Sequence, residues 1–226
     1  MKKPLLIADS HLDLAFNAIQ LKRDLTASVA NVRAHDPEPL MRSFGTCTVT
    51  LAELRKGGVG LVFGTVMSRI DPNDGRTGTG MYVQSQCHGI GMGHLAYYQA
   101  LARDGLLRFI RTAEDLDGHL SEWAQNPDTT PIGLVLAMES ADPILGPEQV
   151  PEWHAAGLRM VSISHYGVSS YAHGTGTEGG LLPRARPLLE ALRAHGIILD
   201  LTHLAEQAFW EALEAFDGRV ATSHHN

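Results

Sequence analysis

Short apolar runs alternate with longer stretches of helical periodicity along this chain. Six of the runs have the length of a β-strand, and they cover residues 5–8, 60–66, 132–138, 158–164, 196–202 and 219–223. Their apolar residues are nearly continuous and do not alternate with polar ones. This pattern predicts strands that other parts of the protein cover on both faces.

Between the predicted strands, apolar residues recur every three or four positions, which predicts helices. The predicted helices cover residues 51–56, 91–103, 112–123, 147–156, 187–195 and 204–216. Strand and helix therefore alternate along the chain, as they do in a parallel sheet or a parallel barrel. No repeat or linker interrupts this alternation, so we expect residues 1–226 to form a single α/β domain.

Residues that can bind a metal ion gather where the predicted strands end. They are His11, Asp13, Glu139, His165, His203 and His224. In a barrel of alternating strands and helices, the carboxyl ends of the strands open onto one face, and active sites form there. Packing alone does not explain six such side chains at the ends of strands, so we expect them to meet in one site.

The spacing and chemistry of these residues suit a metal centre. His11 and Asp13 are two residues apart, so on an extended chain both side chains point the same way and can reach one ion. Imidazole and carboxylate groups are both suitable zinc ligands. Glu139 could bridge two metal ions, or it could take a salt bridge or cap a helix. His165 could be a ligand, a donor to a substrate or a proton carrier.

The composition excludes several other kinds of protein. The chain carries 25 acidic and 18 basic side chains, a net charge of −7, so nucleic acid is not an expected partner. No apolar run approaches the roughly 18 residues of a membrane span, and the first run is too short for a signal peptide. We therefore expect a cytoplasmic protein without membrane association. Cys47 and Cys87 are too few for a disulfide framework, and we expect two reduced thiols.

The motifs at the strand ends resemble those of the membrane dipeptidase family, the metallopeptidases of family M19, and especially its soluble bacterial branch. The resemblance rests on segments 8–15, 137–142, 163–167, 200–203 and 223–226, so it extends through the whole chain. Segment 8–15 reads Ala-Asp-Ser-His-Leu-Asp-Leu-Ala, and segment 137–142 reads Ala-Met-Glu-Ser-Ala-Asp. Ser140 stands where the family usually has glycine.

This resemblance implies a (β/α)8 TIM-barrel-like fold with a site for two Zn2+ ions. His11 and Asp13 would bind one ion, His203 and His224 the other, and Glu139 would bridge them. The reaction would be hydrolysis of the peptide bond of a small dipeptide, in some relatives with a D-residue at the C-terminal position. Family members often pair, so a homodimer is a further expectation.

The resemblance also implies a substrate side of the site. His165 would contact the substrate there, whereas the family's substrate-binding arginine and proton-transfer aspartate would follow Asn226, with the last two strands. We therefore expect about six of the eight strand–helix units of a full barrel in residues 1–226. Such an incomplete barrel would bind metal but hydrolyse dipeptides poorly or not at all.

Two other functions fit the same residues. An amidohydrolase-like barrel that acts on lactones or cyclic amides would use similar ligands. Such proteins usually open with His-x-His, whereas this chain has His11-Leu12-Asp13, which disfavours that function. An inactive metal-binding fragment would keep the ligands without the reaction.

Overall fold

The computed structural model describes residues 6–74 and 79–224 of the chain. Its strands all pair in parallel within one sheet, whose order is β1-β2-β4-β5-β6-β7, with β3 paired to the start of β4. The strands are β1 (Ile7–Leu12), β2 (Val59–Met67), β3 (Leu107–Phe109), β4 (Ile132–Glu139), β5 (Leu158–Ser162), β6 (Ile198–Asp200) and β7 (Val220–Ala221). The predicted fold class is confirmed, because the sheet is part of a parallel β/α barrel.

Helices connect successive strands, as parallel pairing requires. They are α1 (Leu14–Ile19), α2 (Val29–His35), α3 (Glu38–Phe44), α4 (Leu51–Lys56), α5 (Gln84–Arg103), α6 (Ala113–Gln125), α7 (Val150–Ala156), α8 (Ala185–Ala194) and α9 (Glu206–Ala215). A 3-10 helix, Pro147–Gln149, precedes α7. In the described part of the chain, no helix is long and apolar enough to cross a membrane.

The structure corrects several predicted boundaries. The first strand begins later and runs to Leu12, so His11 lies inside it, and Leu5 lies outside the described residues. The strands predicted at 158–164, 196–202 and 219–223 are shorter, because the chain turns into loops at their carboxyl ends. Strand β3 was not predicted, because it has three residues and no apolar run of strand length. Helices α1, α2 and α3 were also not predicted; unlike α4, which is as short as they are, none of them ends at a Gly-Gly pair.

The core lies on both faces of β2 and β4, at the centre of the sheet. Val62, Val66, Leu134 and Leu136 are fully buried on one face, and Leu61 and Ala137 are buried on the other, as the continuous apolar runs predict. Burial of one such side chain stabilises the fold by about 1.5–3 kcal/mol. Tyr98 of α5 is also fully buried, and its hydroxyl donates to the Thr65 carbonyl of β2 (2.9 Å). Cys47 and Cys87 are both buried free thiols, as expected.

The two edges of the sheet, β1 and β7, differ from its centre. Ile7 and Val220 on these strands keep 40% and 42% of their surfaces exposed, whereas the central strands are almost wholly buried. At the carboxyl ends the two edges meet. The Ser10 hydroxyl donates a hydrogen bond to the Ser223 carbonyl just beyond β7, so the strand ends converge on one place.

His94 of α5 is a buried histidine that joins α5 to the end of β2. Its Nδ1 accepts the N–H of Met67 (3.2 Å), so its Nε2 carries the hydrogen that points to Gln20 Oε1 (2.8 Å). Burial lowers the pKa of His94 to about 4, although the charge of Asp13 opposes this shift. The neutral imidazole therefore satisfies both partners.

This histidine makes folding depend on pH. Its unfolded side chain takes up a proton near pH 6.5 and the folded one only near pH 4, so stability falls as pH decreases between these values. We expect His94 to remove about 2 kcal/mol of unfolding free energy between pH 7.5 and pH 5. Urea unfolding of wild type and His94→Gln at both pH values measures this, with exposed His35→Gln as control. Equal pH dependence in wild type and His94→Gln would contradict it.

Candidate metal centre

Glu139, the last residue of β4, stands at the centre of the predicted site. It is 4% exposed, and its Oε1 lies 2.9 Å from His203 Nε2 and 3.4 Å from His165 Nε2. The Nε2 atoms of His11 and His224 each lie 3.5 Å from the same oxygen. Four imidazole nitrogens therefore surround one carboxylate oxygen.

The parallel strands explain this convergence. His11 lies near the end of β1, while His165, His203 and His224 each stand three residues past the ends of β5, β6 and β7. The carboxyl ends of parallel strands share one face, so residues far apart in sequence meet there. His203 also adopts a left-handed backbone with φ of 69°, a strained conformation that is common at functional sites.

The turn after Glu139 is fixed by a buried carboxylate. Ser140 has φ of 66°, and its hydroxyl donates to Asp142 Oδ2 (3.1 Å). Asp142 also accepts the backbone N–H groups of Ile70 (2.9 Å) and Ser170 (2.8 Å), which belong to the loops after β2 and β5. This one side chain therefore ties three loops together beside Glu139.

Asp13 lies at the margin of the cluster. It follows β1 directly and begins α1, and its Oδ1 is 3.6 Å from His11 Nε2. The Thr65 hydroxyl of β2 donates a hydrogen bond to the same oxygen. The carboxylate is thus held beside His11, although it is more exposed than Glu139.

The electrostatics of the cluster favour charge separation. Burial alone would raise the pKa of Glu139, but hydrogen bonds to His11 and His203 and the charges of nearby imidazoles lower it well below its ordinary value. Burial alone would lower the pKa of His11, but hydrogen bonds to Asp13 and Glu139 and their charges raise it to about 10. Without metal, the cluster therefore holds an ionised Glu139 against a protonated His11.

The other histidines behave differently. Burial lowers the pKa of His165 to about 4, against the opposing charge of Glu139. Burial and the charge of His11 also lower the pKa of His224. The Nε2 atoms of His203 and His224 face each other at 2.9 Å, so at most one hydrogen fits between them. At least one of these two nitrogens therefore presents a lone pair to the other.

This donor set fits metal ions. The donor atoms form two groups, and within each group all atoms lie within 4.8 Å of one another. One group is His11, Glu139 and His224, and the other is Glu139, His165 and His203. Imidazole nitrogens and carboxylate oxygens together suit zinc and similar divalent ions. Because Glu139 belongs to both groups, it stands where a bridging carboxylate would be needed.

Two of the histidines have hydroxyl partners at Nδ1. His203 Nδ1 lies 3.0 Å from Thr175 Oγ1, and His224 Nδ1 lies 2.9 Å from Ser223 Oγ. Neither contact was predicted. The contact of Ser223 could have been inferred, because this residue directly precedes His224 in the sequence. Thr175 lies in the loop after β5, far from His203 in the sequence, so nothing in the sequence indicated its contact.

A cleft of about 700 Å3 opens over the cluster. Besides the six predicted residues, it is lined by side chains that the sequence analysis did not identify, among them Phe16, Phe44, Met67, Arg69, Asp71, Asp74 and Tyr166. Arg69 is paired with Asp71 and with Asp74 (3.1 Å to Asp74 Oδ2). His225 and Asn226 of the last motif lie outside the described residues.

Comparison with known proteins adds a family to this geometry. A family model described as membrane dipeptidase (peptidase family M19) matches residues 1–226. No curated protein matches the chain at a significant level.

Several solved structures share the fold. A metallopeptidase from Rhodobacter sphaeroides, liganded with a phosphinate mimic of the dipeptide L-Ala-D-Ala, has a TM-score of 0.75 at 18% identity over 99% of this chain and 66% of that chain. The dipeptidase AC, a metallopeptidase of family M19, has a TM-score of 0.70 at 22% identity over 99% and 64%. An amidohydrolase from Pseudomonas aeruginosa has a TM-score of 0.61 at 18% identity over 77% and 48%. The chain spans about two thirds of the length of the first two.

Metal binding should displace the proton that His11 holds. Because the pKa of His11 is about 10 without metal, the imidazole is protonated at pH 7.5 and must lose that proton to become a ligand. We expect zinc binding to release about one proton per chain from this residue. Calorimetry in two buffers of different ionisation enthalpy measures the release. The same heat in both buffers, after correction for zinc–buffer complexes, would contradict the prediction.

Proposed function

The chain belongs to the membrane dipeptidase family, peptidase family M19, and from this premise we propose that the protein is a dipeptidase with two zinc ions in its active site. The observation that carries the proposal is the convergence of four histidine Nε2 atoms within 3.5 Å of Glu139 Oε1. A buried carboxylate with so many imidazole neighbours at the strand ends is the arrangement that a pair of metal ions requires.

The proposed ligands follow from the sequence motifs. His11 and Asp13 would hold one ion, His203 and His224 would hold the other, and Glu139 would serve both as a bridge. The donor groups in the structure instead group His224 with His11 and His165 with His203, so the metal analysis below also tests this pairing. The place of Glu139 in both donor groups supports the bridge. The hydrogen bond from Thr65 to Asp13 supports the first pair, since it orients the carboxylate beside His11.

The proposed reaction is hydrolysis of a peptide bond. When bound, the ions would act as Lewis acids on the substrate carbonyl and lower the pKa of the attacking water. His165 stays neutral because burial lowers its pKa to about 4, and its ring reaches the cleft beside Tyr166. In this position His165 would donate a hydrogen bond to the substrate oxygen as negative charge develops on it.

The proposed substrate is a dipeptide, including one with a D-residue at its C-terminus. The cleft volume of about 700 Å3 lies within the range of small-molecule sites. The related Rhodobacter sphaeroides metallopeptidase was solved with a mimic of L-Ala-D-Ala, which supports this substrate class. A cytoplasmic location and a homodimer stay predictions of the sequence.

Two alternatives concern the same site. Hydrolysis of lactones or cyclic amides is kept as an alternative because the amidohydrolase from Pseudomonas aeruginosa shares the fold. Metal binding without hydrolysis is the second alternative. A panel of dipeptides and lactones, assayed with the zinc-loaded protein, separates all three functions.

Metal content tests the centre directly. We expect about two zinc equivalents per chain in a desalted, monodisperse sample. Glu139→Gln should retain fewer than one, because it removes the charge that both ions share. The control is Glu190→Gln, the same substitution at an exposed position of α8, which should match wild type. Elemental analysis gives the stoichiometry, and two equivalents in Glu139→Gln would overturn the bridging role.

The role of His165 can be separated from ligation. We expect His165→Asn to keep both zinc ions and to lower kcat for L-Ala-D-Ala by about 100-fold or more, because it loses a donor to the developing charge. Steady-state kinetics and metal analysis are done on the same sample. Loss of one zinc equivalent would instead identify His165 as a ligand. If wild-type turnover is too slow to compare, binding of a phosphinate dipeptide mimic to both zinc-loaded proteins replaces the rate.

A further inference from the structure

Asp200, the last residue of β6, is a buried carboxylate that lies behind His224. It is 4% exposed, and its Oδ1 accepts the backbone N–H groups of Thr202 (3.0 Å) and Ser223 (3.1 Å). Its Oδ2 accepts the hydroxyl hydrogen of Ser223. The carboxylate is therefore surrounded by hydrogen-bond donors.

The Ser223 hydroxyl has one hydrogen, and it donates this hydrogen to Asp200 Oδ2 in a hydrogen bond. The Ser223 oxygen can then only accept a hydrogen from His224 Nδ1, which lies 2.9 Å away. A neutral imidazole with its hydrogen on Nδ1 has its lone pair on Nε2. That Nε2 atom is the one that faces Glu139 Oε1 at 3.5 Å.

We propose that Asp200 is a positioning residue for the metal centre, and that it acts through Ser223 to fix both the ring orientation and the tautomer of His224. Asp200, Ser223 and His224 form a directed chain of hydrogen bonds that ends at a metal-facing lone pair. Outer partners of this kind raise the affinity of a metal ligand because they prearrange it. The inference rests on the proposed metal centre.

His203 is positioned by a different part of the chain. Thr175 Oγ1 lies 3.0 Å from His203 Nδ1 and 3.3 Å from the His203 carbonyl oxygen. The hydroxyl of Thr202, which precedes His203, instead accepts the Ser223 N–H (3.1 Å). The pairs Thr202-His203 and Ser223-His224 therefore differ: Ser223 contacts the histidine that follows it, whereas Thr202 binds Ser223. Both Asp200 and Thr202 accept hydrogen bonds from Ser223.

The geometry separates this role from that of a simple strand link. Asp200 Oδ1 binds backbone groups and would hold β6 to β7 whatever residue stood at position 223. Only Oδ2 serves the Ser223 side chain. Ser223→Ala therefore removes the chain to His224 and keeps the backbone bonds.

Two further variants sharpen the test. Ser223→Thr keeps a hydroxyl on the same carbon and should preserve the chain. Asp200→Asn places an amide N–H toward Ser223, so the Ser223 hydrogen turns toward His224 Nδ1 and favours the wrong tautomer. The control is Ser162→Ala, because the Ser162 hydroxyl is also buried and lies within hydrogen-bond distance of the Thr202 and Ser164 carbonyls but not of a proposed ligand side chain.

The experiment titrates Zn2+ into each metal-free variant of the 226-residue chain against a chromophoric chelator. We expect Ser223→Ala and Asp200→Asn to weaken one of the two zinc equivalents by about 10–100-fold and leave the other unchanged. Ser223→Thr and Ser162→Ala should bind as wild type does. The Co2+ absorption spectrum should change in the first two variants alone, and circular dichroism checks that all are folded.

The outcomes distinguish the inference from the proposed function. If wild type binds two zinc ions and both Ser223→Ala and Asp200→Asn match it, the inference is overturned while the metal centre stands. If Ser162→Ala weakens binding as much as Ser223→Ala, the effect is one of packing at the strand ends, and the inference is also overturned. If folded wild type binds no zinc, the proposed centre fails and the inference with it.

Discussion

A buried charge that needs compensation is the constraint on which this site depends. Glu139 ends a central strand whose other residues are apolar, and its carboxylate is almost removed from water. An ionised group in such a place is stable only beside opposite charge or donors. The imidazoles from four strand ends provide positive charge and N–H donors. Metal ions could provide positive charge in the same place. The arrangement of β1, β5, β6 and β7 around β4 serves this one carboxylate.

The site is held by hydrogen bonds that link one strand end to another. Asp142 fixes three loops beside Glu139, Thr65 holds Asp13, and Asp200 with Ser223 supports His224. Each of these groups is polar and lies beneath the reactive surface. Since buried polar groups must be paired, removing one member leaves another unsatisfied, which explains why the network is closely interlinked.

The sequence predicts the sheet class and the histidines that lie around Glu139, because both depend on local patterns. Continuous apolar runs identify β2 and β4, and a polar residue at the end of a run marks Glu139 and His165. Other features depend on distant partners. β3 has three residues that pair with β4, and Thr175 contacts His203 from 28 positions away. Phe44 at the end of α3 and Arg69 in the loop after β2 line the cleft because of how the connections after β1 and β2 fold back, which no periodicity records.

The contact between Ser10 and Ser223 joins residues that are 213 positions apart. Closing so long a loop costs conformational entropy. Helices and other contacts between residues close in the sequence form first, and they do not offset this cost. During synthesis β1 leaves the ribosome before β7, so His11 is present long before His224 joins it in the cluster. Assembly of the cluster therefore requires β7, and a chain made only as far as β6 lacks part of the set of groups that could capture a metal ion.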